Sequence, residues 1–303
     1  MFEHSLAILR EIGATWEAAF VIDQMGHFAF ERGETLDARR HYEAALALWR
    51  PSGEFQGRSD ALQDLGRVAY TLGEYEEGRR LMEETLAISQ AIGMKIAIAD
   101  DQEVLGEIAY AQSQFAEAEA RFRQQLAILR DLGHREPLSW SLSRLGAAVL
   151  AQDRQSEAGQ LLAEALAIAE DCGDSHGIAR AHNQLGYLAL RQGALATARR
   201  HWRIAVELAW RVQDRAHLLV TLDALIGLAT LMAKENDAER AVEVLGLVRG
   251  AARIDHRTET KAEELLAELE GHLSPARFAA AQARGRALEL GATVAAMLAE
   301  AAA

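Results

Sequence analysis

The dipeptide Leu-Gly stands at Leu65-Gly66, Leu105-Gly106, Leu145-Gly146 and Leu185-Gly186, at one even interval, with Met25-Gly26 one period earlier. A second beat keeps step with it: Leu6-Ala7-Ile8, Leu46-Ala47-Leu48, Leu86-Ala87-Ile88, Leu126-Ala127-Ile128, Leu166-Ala167-Ile168 and Val206-Glu207-Leu208. A third is glycine alone, at Gly13, Gly53, Gly93, Gly133 and Gly173. A fixed period of this length marks an array in which each repeat buries its apolar face only against its neighbours. It points to an all-α solenoid of helix-turn-helix units, and to a binding scaffold rather than an enzyme.

The second full unit shows how one period divides. Ala61, Leu62, Leu65, Val68, Ala69 and Leu72 follow the i, i+3, i+4, i+7 rhythm of a helix A over 55–72. Gly73-Glu74 makes a turn, and a helix B runs over 75–92 to Gly93. Glycines just after a helix fit the left-handed backbone position, where a side chain would clash. Ser113 and Asp153 replace the A–B turn glycine in two units.

The mid-helix glycines need a different cause. A glycine inside a helix costs roughly 1 kcal/mol against alanine, so Gly26, Gly66, Gly106, Gly146 and Gly186 together forgo about 5 kcal/mol. Close packing is the expected reason, with helix B crossing helix A where there is no room for a β-carbon. Twelve positions after each glycine comes a small residue (Ala38, Gly78, Ala118, Ala158, Ala198). Four further on stands a bulky one (Tyr42, Met82, Phe122, Leu162, Trp202), expected in the core.

This pattern resembles the tetratricopeptide repeat, which shares the Leu-Gly pair, the glycine at the A–B turn and the small-then-bulky spacing on helix B. The units here are longer than that family's usual repeat. The resemblance implies a right-handed superhelix of about a dozen antiparallel helices, with partners bound along the A helices in an inner groove. The expected organisation is a solenoid over 1–250. It divides into a half repeat at 1–13 and units at 14–53, 54–93, 94–133, 134–173, 174–213 and 214–250. A helical cap follows over 251–303. In the last unit the glycine slips to Gly227 and Ala233 takes the turn position. Helices are expected over 258–271 and from Ser274-Pro275.

Phe2 lies one period before Tyr42, so the chain opens inside a helix B without its helix A. The expectation is a stretch of a longer protein, with Phe2, Leu6 and Leu9 exposed or covered by a second copy, a route to self-association.

The C-terminal stretch carries a second resemblance. Ala241-Val242-x-Val244-Leu245-Gly246, Phe278-Ala279-Ala280-Ala281, Gly285-Arg286-Ala287-Leu288-Glu289-Leu290 and Ala292-Thr293-Val294 look like the C-terminal end of bacterial STAND-type regulatory ATPases of the MalT-like and AfsR-like kind. That resemblance implies a sensor and oligomerisation arm of a larger signal-transducing ATPase or transcriptional regulator. The alternatives are a freestanding adaptor or oligomerising scaffold and, more remotely, an enzyme on a helical scaffold.

A net charge of −13 argues against a direct nucleic-acid partner, which needs clustered positive charge. Cys172 is the only cysteine, so no internal disulfide can form. No leader is read at the start, and no stretch is expected to reach the roughly 18 apolar residues of a membrane helix. The expected location is cytoplasmic, with no membrane partner. No phosphate-cradling Gly-x-x-x-x-Gly-Lys-Ser/Thr and no His-Glu-x-x-His occurs, so no catalytic residue, cofactor or metal is expected. His176 and His182 are read as solvated or capping side chains. Cys172 is read as a small packed residue.

The expected ligand is a protein or peptide segment. Groove positions carried over from the tetratricopeptide resemblance form three columns. The first gives Phe20, Asp60, Asp100, Trp140 and Arg180; the second Asp23, Gln63, Glu103, Ser143 and Asn183; the third His27, Arg67, Glu107, Ala147 and Tyr187. The binding candidates are Asp23, His27, Asp60, Gln63, Arg67, Asp100, Glu103, Glu107, Trp140, Arg180, Asn183 and Tyr187. Trp140 and Tyr187 are the expected aromatic anchors, and the acidic stretch from Asp60 to Glu107 favours a basic partner.

Overall fold

The structure is a computed structural model that describes residues 2–52, 55–212 and 214–299. The chain is all-helical, and no strand occurs among the described residues. Its contacts gather into two compact units, 1–132 and 133–303. The first holds α1 (Phe2–Glu11), α2 (Thr15–Glu31), α3 (Thr35–Ser52), α4 (Phe55–Thr71), α5 (Tyr75–Ile92), α6 (Lys95–Ala111) and α7 (Phe115–Leu132). The second holds α8 (Arg135–Ala151), α9 (Gln155–Cys172), α10 (Ser175–Arg191), α11 (Leu195–Trp210) and α12 (Arg215–Lys234). It continues with α13 (Ala238–Arg249), α14 (His256–Glu270), α15 (Pro275–Ala287) and α16 (Leu290–Ala299). Helices A and B of each repeat pair, as in α2 with α3, α4 with α5, α6 with α7, α8 with α9 and α10 with α11.

The turns work as their sequence requires. Gly73 takes φ +78° between α4 and α5, and Ser113 and Asp153 adopt the same left-handed region at φ 59° and 62°. In the last repeat the left-handed residue is Asn236, at φ 66°, not the expected Ala233. α12 runs on to Lys234, so the turn falls later, where an asparagine tolerates the conformation.

Space at the mid-helix glycines is taken by the bulky residue of helix B. A β-carbon on Gly106 would stand 2.5 Å from the Phe122 ring, and one on Gly26 would stand 2.6 Å from the ring of Tyr42. Gly66 faces Met82, Gly146 faces Leu162 and Gly186 faces Trp202 in the same way. The expected lack of room for a β-carbon holds, and what fills the space is a side chain of helix B. Gly227 has not lost its role by slipping. It meets Trp202 from the other side, so the largest plug of the array lies between two glycines. Backbone meets backbone elsewhere, where α13 crosses α15. A β-carbon on Gly285 would strike the Glu243 carbonyl and lie 3.0 Å from Gly246 Cα.

α12 corrects another expectation. It has 20 residues with a mean hydropathy of 1.8 over its most apolar window, enough by length and composition to cross a membrane. Two thirds of that window is buried within the second unit. Leu222, Ala224, Leu225, Ile226, Leu228, Ala229 and Leu231 pack there with Trp202, Val206, Val242, Val244, Leu245 and Leu266. An apolar helix covered on most sides is what a core position demands.

At the N-terminal end, Leu6 packs on the first unit's core and Leu9 is half-buried, which corrects their expected exposure. Ile8 and Ile12 are the exposed apolar side chains there. The Phe2 side chain lies outside the described residues.

Candidate binding faces on the A helices

In the first unit the face of α2 and α4 is built from carboxylates around one imidazole. Asp23 and His27 stand four residues apart on α2, and so on one face of it. His27 Nε2 lies 3.3 Å from Asp23 Oδ2 and 3.3 Å from Asp64 Oδ2 on α4. The other ring nitrogen, Nδ1, is 3.1 Å from the Tyr42 hydroxyl, which is buried in the core. A hydrogen bond to Asp23, outweighing burial, raises the pKa of His27, with Asp64 adding to it. Burial, reinforced by Asp23 and Asp60, pushes the Asp64 carboxyl up to about 7 against the pull of His27 and Arg67. Asp60 is exposed, yet burial of its carboxyl and the charge of Asp23 raise it too. Negative charge therefore exceeds what the local cations neutralise.

The next rows are tied together. Gln63 Nε2 donates to Asp101 Oδ1 at 3.1 Å, and Asp101 also accepts from Thr85 and Ser89 at 2.8 and 3.1 Å. Burial raises Asp101 more than these three donors lower it. Gln125 donates to Glu103 at 2.8 Å, and Tyr70 donates to Glu107 at 3.4 Å. Asp100 is half-buried and also engaged. Arg67 lies within electrostatic reach of His27, Asp64 and Asp101. One flat aromatic surface accompanies this face: Trp16 and Phe20 on α2 stack at 6.0 Å with their planes 1° apart, and both are half exposed.

In the second unit the candidates sit in tighter networks. Trp140 Nε1 donates to Asp174 at 2.6 Å, and its ring meets His176 edge-on. His176 in turn packs on His217, whose Nδ1 is 2.8 Å from Asp214. His176 is buried, not solvated as expected. Burial, with Arg180, His217 and Arg144 adding to it, drives its pKa down to about 2. His182 faces His201 at 2.8 Å, and burial with that neighbour lowers it to about 4. Arg180 lies 3.4 Å from the His176 ring nitrogen.

Asn183 donates to Asp223 at 2.6 Å. The Tyr187 hydroxyl donates to the Asp223 backbone oxygen at 2.9 Å and receives a bond from Lys261 at 2.8 Å. Lys261 also pairs with Asp223 and lies 3.9 Å from the centre of the Tyr187 ring. Burial opposes ionisation of Asp223, but Lys261, Arg257 and the bonds from Lys261 and Asn183 outweigh it and hold the carboxyl below its usual range. Tyr187 also packs edge-on against Trp202.

The structure brings Asp23 against His27, and Asn183 and Tyr187 both bond Asp223. It adds Asp64, Asp101, Asp223 and Lys261, which sequence reading left out. Asp64 stands one position past Gln63 of the second column and Asp101 one past Asp100 of the first, and Lys261 comes from a helix beyond the recognisable repeats. The usable signals were the Asp23-x-x-x-His27 spacing and the place of Asp223 one period after Asn183. Cys172 is half-buried beside Gly173, the residue that ends α9.

Residues 17–91 and 99–171 match the family model of the tetratricopeptide repeat. No curated protein sequence matches the chain. Solved structures resemble it in fold. BtubC (BKLC) from P. vanneervenii is 17% identical with a TM-score of 0.58, over 68% of this chain and 87% of that one. The apo form of RapI is 15% identical with a TM-score of 0.59, over 94% of this chain and 80% of that one. A Rap protein in complex with Competence and Sporulation Factor is 13% identical with a TM-score of 0.60, over 88% and 81%. Over 17–91 and 99–171 the chain carries tetratricopeptide repeats, and the same pairing of consecutive helices continues through α10 and α11.

Proposed function

We propose that this scaffold binds a segment of a partner protein along its A helices, and that it serves as the sensor and oligomerisation arm of a larger STAND-type regulatory ATPase. The observation that carries the binding reading is the exposed Trp16–Phe20 stack beside the acidic cluster of Asp23, Asp60 and Asp64. Exposed aromatic surface is enriched where proteins bind, and uncompensated carboxylates attract cations. A segment with basic residues next to an apolar one fits both. Complex formation by a Rap protein of similar fold supports the binding reading. Two of the four C-terminal strings that carry the ATPase resemblance meet at the Gly246–Gly285 crossing, which gives their glycines a packing reason.

A peptide array of basic and acidic segments tests the binding reading, with wild type and a Trp16→Ala, Phe20→Ala, Asp60→Lys variant. Basic segments should bind, bind less as salt rises, and lose most of their signal in the variant. Unchanged binding in the variant overturns the assignment to this face. The gene on either side of this stretch tests the arm reading. A phosphate-binding ATPase domain in the same frame supports it, and a freestanding gene favours an adaptor.

A further inference from the structure

We propose that Asp23, His27 and Asp64 form a binding site for a divalent transition-metal ion of the zinc type, joining α2 to α4. The three side chains offer one nitrogen and two carboxylate oxygens, all within 4.8 Å of one another. The two nitrogen–oxygen separations, 3.3 Å each, are long for the hydrogen bond between His27 and Asp23 and suit an ion between the groups. A charged hydrogen bond between such groups closes to about 2.7–2.9 Å. Ligands held about 2.0–2.1 Å from a tetrahedral ion stand roughly 3.3 Å apart, because a tetrahedron's edge is about 1.6 times its centre-to-corner distance.

A second observation points the same way. Asp23 is buried, with its side chain 11% exposed, and its Oδ1 has no hydrogen-bond partner. Such an oxygen is costly unless something satisfies it. The carboxylate already points its other oxygen at His27, so an ion at the centre of the group lies within its reach. Tyr42 supplies the outer contact that metal-bound imidazoles normally have: with Nδ1 turned to its hydroxyl, Nε2 is left to bind. A divalent ion cancels the two carboxylate charges while the imidazole stays neutral. Arg67 and exposed Asp60 border the site with opposite charges, and water completes the coordination from the open side, where His27 is half exposed.

Calorimetric titration of the purified, chelator-stripped chain with zinc chloride, and separately with magnesium and calcium chloride, tests this. Zinc should bind one ion per chain and raise the unfolding temperature, with little response to magnesium or calcium. His27→Gln and Asp64→Asn should abolish the effect. Tyr42→Phe, which keeps the core filled, should weaken binding about 10–100-fold. The His182→Gln, His201→Gln double variant should bind as wild type does. Three results overturn the proposal: no zinc response, a response surviving His27→Gln, or one lost with the His182–His201 pair. Circular dichroism of each variant separates lost binding from lost folding. If His27→Gln does not fold, the Tyr42→Phe affinity decides, and an unchanged value counts against the site.

Discussion

The second column of the repeat puts Asp23 in the first unit and Asn183 and Asp223 in the second, yet the surrounding charge differs in sign. Around Asp23 the carboxylates of Asp60 and Asp64 outnumber their cations, and burial lifts Asp64 to about 7. Around Asp223 a lysine from α14, an asparagine and a tyrosine supply donors, so the carboxylate is held ionised. The repeat thus fixes where a side chain stands. What it meets there, including residues from outside the array, fixes its protonation state.

The largest effect expected from breaking this contrast is at Lys261. Lys261→Met removes the more strongly acting of the two charges that stabilise Asp223 and leaves the carboxylate with two neutral donors and the charge of Arg257. Breaking a fully buried pair costs about 3–5 kcal/mol, and the partial exposure of Lys261 reduces that to about 2 kcal/mol. Urea unfolding measures it. The double variant Lys261→Met, Asp223→Asn should recover most of the loss.

Acid should separate the two units. In the second, His176 has a folded pKa near 2 against about 6.5 unfolded, so its contribution is present at neutral pH. That contribution is lost as pH falls below 6.5, by about 2 kcal/mol near pH 5. Burial, with the charges of Arg180, His217 and Arg144, holds it neutral throughout that range against the nearby carboxylates of Asp174 and Asp214. In the first unit Asp64 and His27 are both raised, so the folded state holds their protons more tightly than the unfolded chain does. Their contribution is greatest in acid. Asp64's share fades as pH rises from about 4 to 7, and that of His27 fades as pH passes from about 6.5 through its raised folded value. With metal removed by chelator, hydrogen exchange read separately for 2–132 and 133–299 should therefore show opposite trends between about pH 5 and 7. Parallel trends would break the comparison.

A smaller change sharpens the first unit's side of it. With metal removed by chelator, Asp64→Asn should stabilise the chain by about 1–2 kcal/mol near pH 8, because it removes a buried charge among like charges. The gain should vanish near pH 5, where wild-type Asp64 is already protonated.

The smallest effects test whether the occupant or the column decides at the glycines. At Gly66 an added methyl meets the flexible end of Met82, which can move. Gly66→Ala should therefore be neutral, or gain up to about 1 kcal/mol from helix propensity. At Gly106 the neighbour is the rigid Phe122 ring, and Gly106→Ala should cost about 1 kcal/mol despite the same propensity gain. Thermal unfolding distinguishes the two, and equal values would show that the plug does not matter.

The repeat made the fold legible. A regular beat of Leu-Gly, turn glycine and small-then-bulky residues follows from packing rules that each unit must satisfy against the next. Those rules are local enough to read along the chain, and the helix pairs bear them out. The C-terminal helices were legible for the same reason: Ser274 caps α15, with proline at its start. Other features lay beyond one-dimensional reading. That Trp202 fills the space of both Gly186 and Gly227 depends on where α12 lies, and the sequence showed only a glycine out of place. That α12 is apolar because it is buried, and that His176 is neutral because two aromatic rings and two arginines surround it, are facts of enclosure. The Asp23–His27–Asp64 triangle and the Asp223–Lys261 pair arise from helices brought together in space. Charge and protonation depend on distance and burial, which only the packed structure supplies.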